Sequence, residues 1–185
     1  PLIEHIKRPV GDFVYSVDVE TLEELVVSEL KAKGKKLATA ESCTGGLLSK
    51  RITDVPGSSE VFEMGCVTYA NQAKEDLLSV SHETLEQYGA VSPQTAREMA
   101  EGIVRRSGSD LGIGITGIAG PDGGTAEKPV GLIYIALSDG ENTWVTKRSP
   151  IGRTKSREWH RHCAASQALD MVRRWLEGLP VVAES

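Results

Sequence analysis

The sequence predicts an α/β protein, a three-layer α/β/α sandwich with a mixed, mostly parallel sheet. Short apolar runs alternate with segments of helical periodicity along most of the 185 residues, which is typical of parallel strands joined by helices. Near the end of the chain, two strand-like runs flank Asp139 and Gly140, a pair that indicates a β-hairpin and therefore antiparallel strands.

The first elements form a strand–turn–helix unit. Helical spacing of apolar residues begins at Thr21 and stops at Gly34, which suits a helix C-cap. Residues 37–40 are then expected to form a buried strand, and Gly45 and Gly46 open a second helical pattern. A sharp turn is therefore expected between this strand and this helix.

The same pattern recurs in the middle of the chain. Residues 61–70 alternate like a strand, and Asn71 can cap the helix that follows. Ser92 and Pro93 mark the start of another helix, since proline is favoured at the first helical position. Residues 111–116 predict the next strand. Three parallel strands would bring the turns that follow them to one edge of the sheet.

The end of the chain completes the sheet and one helical layer. Strands are expected at 130–137 and 143–147, on either side of the hairpin turn. A last helix is expected from about 154 to 176, with Gly178 as its stop.

The length fits one domain with a core of ordinary size. Residues 1–18 show no clear periodicity and are interpreted as an N-terminal arm or linker. Residues 19–180 are expected to form the domain, and residues 181–185 a short tail.

Composition excludes several classes of protein. The chain has 21 Lys and Arg against 26 Asp and Glu, a net charge of −5, which argues against a nucleic-acid partner. No apolar run approaches the roughly 18 residues of a membrane span, so no membrane partner and a cytoplasmic location are expected. The three cysteines, Cys43, Cys66 and Cys163, indicate neither a disulfide framework nor a zinc ribbon.

Two of the predicted turns carry candidate chemistry. Ser42 follows a strand and precedes two glycines, where backbone amides can stabilise an anion, although serine there can simply cap the helix. Lys74 falls in the first turn of a helix, where the helix dipole lowers a lysine pKa. A neutral lysine can act as a general base toward serine, whereas the alternative is a surface lysine that pairs with Glu75 or Asp76.

A third turn, residues 116–124, is rich in glycine, which suggests close approach of a ligand to the backbone. The segment that leads into this turn contains a formal G-x-G-x-x-G pattern, from Gly112 to Gly117. The first two of these glycines fall inside a predicted strand, so a dinucleotide-binding site is rejected. Lys128, Arg153 and Arg157 could supply phosphate contacts.

Six segments together resemble, in order and spacing, the C-terminal domain of the CinA proteins, the family of the stand-alone PncC-type nicotinamide mononucleotide deamidases. The segments are 40–46 (AESCTGG), 56–59 (PGSS), 67–74 (VTYANQAK), 89–92 (GAVS), 116–124 (TGIAGPDGG) and 127–131 (EKPVG). Six ordered motifs are far more specific than any one of them. The arm before the domain resembles the connection to an N-terminal domain in two-domain CinA proteins, so the chain is expected to be part of a longer protein or a stand-alone form.

The resemblance implies an amidohydrolase that converts nicotinamide mononucleotide and water to nicotinic acid mononucleotide and ammonia, in pyridine nucleotide salvage. It implies no metal and no other cofactor, a small nucleotide as the substrate, and a homodimer or higher homo-oligomer. Ser42 matches the family's nucleophile and Lys74 its basic partner, while Tyr69 and Thr116 match further catalytic positions. Arg157 belongs to an Arg-x-x-aliphatic-Arg pattern in which Ser156 replaces the usual aliphatic residue.

The residues expected to bind the substrate lie in the same turns and in the basic segments near them. They are Glu41, Cys43, Thr44, Gly45, Gly46, Ser59, Asn71, Gly117, Gly120, Lys128, Arg153 and Arg157.

Several alternatives stay open. Cys43 is adjacent to Ser42 and helix N-termini lower thiol pKa values, and Ser59 is a third candidate nucleophile. The amides of residues 44–46 or those of the Thr116 loop would hold the oxyanion. The domain could also be a non-catalytic interaction module of a competence- or damage-inducible protein, or an amidase for a related amide.

Overall fold

The computed structural model describes residues 21–149 and 156–182. The predicted arm, the start of the predicted last helix and Arg153 therefore lie outside the described residues. In chain order the elements are α1 (Leu22–Lys33), β1 (Leu37–Glu41), α2 (Leu47–Thr53), a 3-10 helix (Ser58–Glu60), β2 (Phe62–Val67), α3 (Asn71–Leu78), α4 (His82–Tyr88), α5 (Pro93–Ser107), β3 (Leu111–Gly117), β4 (Ile133–Ser138), β5 (Thr143–Arg148) and α6 (Arg157–Leu176).

The five strands form one sheet in the order β2-β1-β3-β4-β5. β1 pairs in parallel with β2 and with β3, whereas β4 pairs antiparallel with β3 and β5. The predicted α/β class and mixed sheet are confirmed, with parallel and antiparallel pairs in equal number. The predicted hairpin connects β4 and β5, because Ser138 is opposite Thr143.

The two faces of the sheet carry side chains of different size. On one face, branched aliphatic residues such as Ile113 and Ile135 pack with α1, α2 and α6 in the larger core cluster. On the other face, small residues such as Ala38 and Ala136 lie in clusters that include α5. This division lets α5 lie close to the sheet and gives the three layers that the sequence predicted.

The glycines of the formal G-x-G-x-x-G are explained by this close packing. A Cβ atom on Gly114 would lie 2.4 Å from the Ala96 carbonyl oxygen, and one on Gly112 would lie 2.6 Å from the Ala100 carbonyl oxygen. Both oxygens belong to the backbone of α5, which cannot move aside as a side chain can. These glycines therefore allow α5 to pack closely against the sheet.

Some local predictions need correction. Helix α4 was not predicted, and β2 ends at Val67 because residues 68–70 form the connection to α3. Asn71 is the first residue of α3, not its cap; Ala70 occupies the cap position and makes no side-chain hydrogen bond there. Val181, assigned to the tail, is 6% exposed and packs in the core. No helix within the described residues has the length and apolar character to cross a membrane.

The Gly114→Ala substitution tests the contact between α5 and the sheet. Because the added methyl group would overlap backbone atoms, we expect the free energy of unfolding to fall by about 3 kcal/mol in urea denaturation. Gly34→Ala is the control, since its Cβ would meet no atom within 4 Å and only its left-handed φ of 61° is strained, at a cost of about 1 kcal/mol. Equal losses in the two variants would contradict this account of the packing.

Candidate active site

A cavity of about 270 Å³ opens at the carboxyl edge of the sheet, where the three parallel strands end. Its lining comes from the turns after β1, β2 and β3, from residues 90 and 91, and from the start of α6. The lining residues are Ser42, Cys43, Tyr69, Lys74, Ala90, Val91, Thr116, Gly117, Ile118, Ala119, Gly120, Asp122, Gly123 and Arg157. The three turns singled out from the sequence therefore meet.

The turn after β1 is supported by the carboxylate of Glu41, which is fully buried. Its Oε2 accepts hydrogen bonds from the N–H groups of Gly46 and Leu48, each at 3.1 Å. Its Oε1 accepts from the N–H and the hydroxyl of Ser49, at 2.8 and 2.6 Å. The carboxylate thus satisfies unpaired amides at the start of α2, where negative charge is favoured. Glu41 is not on the cavity wall, and its binding of substrate stays a prediction.

Ser42 is held at the edge of the cavity. Its N–H donates to the carbonyl oxygen of Ile115 on β3, at 2.9 Å, which extends the pairing of β1 and β3 by one residue. Only 9% of Ser42 is exposed, and its hydroxyl lies on the cavity wall. The serine therefore reaches a ligand only through the cavity.

Lys74 is 1% exposed, so the alternative of a solvated surface lysine is wrong. Its Nζ donates to the carbonyl oxygen of Thr68 at 2.8 Å and lies 3.4 Å from both the carbonyl oxygen of Tyr69 and the hydroxyl oxygen of Ser42. Burial lowers the pKa of Lys74 below its ordinary value of 10.5. A neutral amine has two hydrogens for the two carbonyls and one lone pair for the Ser42 hydroxyl.

Cys43 lines the cavity but is a poor nucleophile. Burial raises the pKa of its thiol to about 12, and the opposing effect of Arg157 and Arg161 does not overcome it. The expectation that the helix N-terminus lowers this pKa is wrong, because the thiol is 5% exposed and its ionised form is poorly solvated.

Ala90 on the cavity wall ends a main-chain segment, residues 88–90, whose three consecutive carbonyls all accept hydrogen bonds from side chains. The bonds are Lys128 Nζ to Tyr88 O at 2.7 Å, Ser92 Oγ and Thr95 Oγ1 to Gly89 O at 3.1 and 2.9 Å, and Thr116 Oγ1 to Ala90 O at 2.6 Å. Thr116 lines the cavity and also holds this segment, whereas Lys128 only holds it. Lys128 is not on the cavity wall, and its binding of substrate stays a prediction.

Arg157 crosses the mouth of the cavity. Its Nη1 donates to the carbonyl oxygen of Gly120 at 2.8 Å, and its Nη2 donates to the Tyr69 hydroxyl oxygen at 2.9 Å. Among the described carboxylates none forms an ion pair with it. A cation held by neutral acceptors at a cavity mouth is suited to an anionic ligand.

Ser59 does not join the site. It is exposed on the 3-10 helix that precedes β2, at the opposite edge of the sheet, so it cannot serve as nucleophile for this cavity of its own chain. Asn71 is exposed and absent from the cavity wall.

Thr44, Gly45 and Gly46 also lie off the cavity wall. The reason is Arg161, which was not predicted: its Nε and Nη2 both donate to the Thr44 carbonyl oxygen, at 3.0 and 2.5 Å. A Cβ on Gly45 would lie 3.3 Å from Arg161 Nη2, so the glycine leaves room for this arginine and not for a ligand. Arg161 follows Arg157 by four residues on α6, so the two side chains share one face of the helix. This spacing is the sequence signal that could have indicated Arg161.

Asp122 of the glycine-rich turn is a charged lining residue that the predicted site residues did not include. Across the described ranges no group of three or more His, Cys, Asp or Glu side chains is placed to hold a metal ion.

The fold and site define a three-layer α/β protein with a ligand-sized cavity at the carboxyl edge of its sheet. The family model described as the CinA C-terminal domain matches residues 19–176. The chain therefore belongs to the CinA C-terminal domain family.

Relatives and solved structures agree with this assignment. A CinA-like protein of Desulfovibrio desulfuricans is 56% identical over 183 residues, which cover 99% of this chain and 43% of the relative. A CinA-like protein of Syntrophomonas wolfei is 52% identical over 174 residues, with coverages of 94% and 41%. The chain thus spans about two fifths of the length of these relatives.

Among solved structures, the competence/damage inducible protein CihA of Agrobacterium tumefaciens is 40% identical with a TM-score of 0.78, covering 88% of this chain and 99% of that one. A CinA superfamily protein of Klebsiella pneumoniae is 31% identical with a TM-score of 0.79, and the coverages are 86% and 99%.

Replacing Lys74 by Met tests whether burial of the lysine amine lowers the free energy of unfolding at neutral pH. An amine whose pKa is lowered by folding binds fewer protons in the folded than in the unfolded chain, so its contribution to stability rises with pH up to 10.5. We expect Lys74→Met to be more stable than the parent at pH 7 and this advantage to shrink as the pH rises toward 10.5. Urea denaturation across this range measures it. The exposed Lys33→Met serves as control, and an advantage that does not change with pH would oppose the assignment.

Proposed function

We propose that this chain hydrolyses the carboxamide of nicotinamide mononucleotide, releasing ammonia and nicotinic acid mononucleotide. The observation that carries the proposal is the buried Lys74 amine, whose pKa is lowered by burial, 3.4 Å from the Ser42 hydroxyl on the wall of a cavity. Catalytic hydrogen bonds are often long before substrate binds and shorten in the complex. Membership of the CinA C-terminal domain family supports the same substrate.

In the first step, Lys74 Nζ takes the proton of the Ser42 hydroxyl while Oγ bonds to the carboxamide carbon. The carbonyl oxygen becomes an oxyanion in a tetrahedral intermediate. Lys74 then returns this proton to the amide nitrogen as the carbon–nitrogen bond breaks, and ammonia leaves. The product of this half-reaction is an ester between Ser42 and the nicotinoyl group.

Water completes the cycle. Lys74, neutral again, takes a proton from water as its oxygen attacks the ester carbon. The bond to Ser42 Oγ then breaks and Oγ recovers the proton from Lys74, which frees the carboxylic acid product and restores the starting protonation states.

Charge distribution supports a mononucleotide as the ligand. Arg157 has its guanidinium at the mouth, where it would bind a phosphate, and the Tyr69 ring beside it would contact the ribose or the pyridine ring. The cavity volume is near the lower end of the roughly 300–1,000 Å³ common for ligand pockets. Assembly into a homodimer or higher oligomer, and attachment to an N-terminal domain in a longer chain, are part of the same proposal.

The proposal predicts ammonia release from nicotinamide mononucleotide that depends on both members of the pair. Ser42→Ala and Lys74→Ala should each lower kcat by at least about 1,000-fold, because the nucleophile or its base is lost. In the parent, kcat/KM should rise with pH to a plateau, with a midpoint below 10.5, since only neutral Lys74 is competent.

Ser59→Ala is the matched control for Ser42→Ala and should retain the parent rate, because Ser59 lies at the other edge of the sheet. Retention of activity by Ser42→Ala would refute the mechanism. A folded parent that releases no ammonia from this substrate would refute the activity, and a panel of related amides and a pull-down with recombination proteins would then separate another amidase from an interaction module.

Arg157→Gln tests the phosphate contact. We expect KM for nicotinamide mononucleotide to rise about tenfold or more with a smaller change in kcat, because a charge-assisted contact is lost away from the carboxamide. Steady-state kinetics measure the split. With nicotinamide riboside, which lacks the phosphate, parent and variant should have similar KM values; an equal rise for both substrates would show that Arg157 acts otherwise.

A further inference from the structure

Arg161 begins a short chain of polar groups that ends on the cavity wall. Its Nε and Nη2 donate to the carbonyl oxygen of Thr44 at 3.0 and 2.5 Å. The N–H on the other side of the same peptide unit, that of Gly45, donates to the carbonyl oxygen of Ser42 at 3.0 Å. The next N–H in the series belongs to Cys43, which lines the cavity.

Peptide geometry fixes the direction of this last N–H. In a trans peptide the C=O and the N–H point in opposite directions, so the Cys43 N–H points away from the bond between Gly45 and Ser42. Within the described part of the chain, no oxygen of another residue accepts a hydrogen bond from it. Apart from an interaction with the sulfur of its own side chain, the Cys43 amide is therefore available as a donor on the residue that follows Ser42.

The amides that the sequence suggested as oxyanion donors are mostly engaged. Gly45 N–H donates to Ser42 O, and Gly46 N–H donates to the Glu41 carboxylate at 3.1 Å. These two groups cannot turn to a substrate without breaking the bonds that shape the turn. The expectation for residues 44–46 is corrected for both glycines.

The charge of Arg161 is well placed to act along this chain. No ion pair joins Arg161 to a carboxylate among residues 21–149 and 156–182, so its charge is not neutralised locally. Its field reaches Cys43, since Arg161 is among the groups that act to lower the pKa of that thiol. Hydrogen bonds in series polarise one another, and a cation at one end strengthens the donor at the other.

We propose that Arg161 is a positioning residue, which orients and polarises the Cys43 N–H through two peptide units so that this amide holds the carboxamide oxygen as its negative charge develops. The proposal rests on the proposed amide hydrolysis at Ser42. It assigns one oxyanion donor to the main chain of Cys43 and gives the arginine a role at a distance from the substrate.

The expected effect of removing the charge is moderate. An oxyanion donor is worth about 100- to 1,000-fold in kcat, and polarisation supplies up to about 30% of a bond's strength. Loss of Arg161 should therefore lower kcat by about fivefold, with KM little changed, because the donor acts mainly in the transition state. The pH midpoint set by Lys74 should stay in place.

Two substitutions of Arg161 separate the effect of its charge from the effect of its hydrogen bonds. Arg161→Lys keeps a cation and one donor, whereas Arg161→Gln keeps a donor without the charge. The rate of ammonia release should be highest in the parent, lower in Arg161→Lys and lowest in Arg161→Gln. Arg51 is the matched control, because this half-buried arginine holds α2 through Glu23 and Ser166 and makes no contact with the turn. Arg51→Lys and Arg51→Gln should keep the parent kcat.

A second readout needs no turnover. In amide NMR spectra of the substrate-free protein, Arg161→Gln should move the proton resonances of both Gly45 and Cys43 to lower frequency, and Arg51→Gln should move neither. An unchanged Cys43 resonance would overturn the relay, and so would equal kcat values for the Lys and Gln variants of Arg161. If the parent releases no ammonia from nicotinamide mononucleotide, the proposed function fails, and the relay is then decided by the Cys43 resonance alone.

Discussion

The buried carboxylate of Glu41 is the constraint on which the site depends. A carboxyl group is costly to remove from water unless its oxygens are satisfied, and here three main-chain amides and one hydroxyl at the start of α2 satisfy them. The bonds fix where α2 begins relative to the end of β1. Ser42 occupies the turn between them, so its position on the cavity wall follows from the solvation of its neighbour.

Lys74 is also buried, but its polar surroundings differ from those of Glu41. Glu41 is stabilised by donors that face it, whereas Lys74 is surrounded by carbonyl oxygens and by the serine hydroxyl, and burial shifts it toward the neutral form. The site thus contains a buried carboxyl group that is held by a helix N-terminus and a buried amine whose pKa is lowered by burial. Lys74 lies beside Ser42 because the strands that precede these two residues, β2 and β1, are paired in the sheet.

Much of this site could be predicted from the sequence, because parallel strands place their following turns at one edge. Ser42 follows β1, Tyr69 and Lys74 follow β2, and Thr116 lies near the end of β3. The structure places all four on one cavity. The roles of Glu41, Gly45 and Lys128 could not be predicted in this way. Each is set by a contact that spacing along the chain does not encode: the direction of a carboxylate, the approach of Arg161 from α6, and the reach of Lys128 to Tyr88 O. The raised pKa of Cys43 likewise depends on burial, which a helix-terminus argument omits.

The hydrogen bond between Thr116 and Ala90, which both line the cavity, introduces an asymmetry between substrate and product. The hydroxyl hydrogen of Thr116 is already donated to Ala90 O, so toward the cavity this oxygen offers only lone pairs. A carboxamide NH₂ group has hydrogens to donate to such an oxygen, but a carboxylate has none and is repelled by it. In the proposed reaction, hydrolysis converts a group that can donate to this oxygen into one that cannot. Repulsion from the Thr116 oxygen would then favour departure of the product.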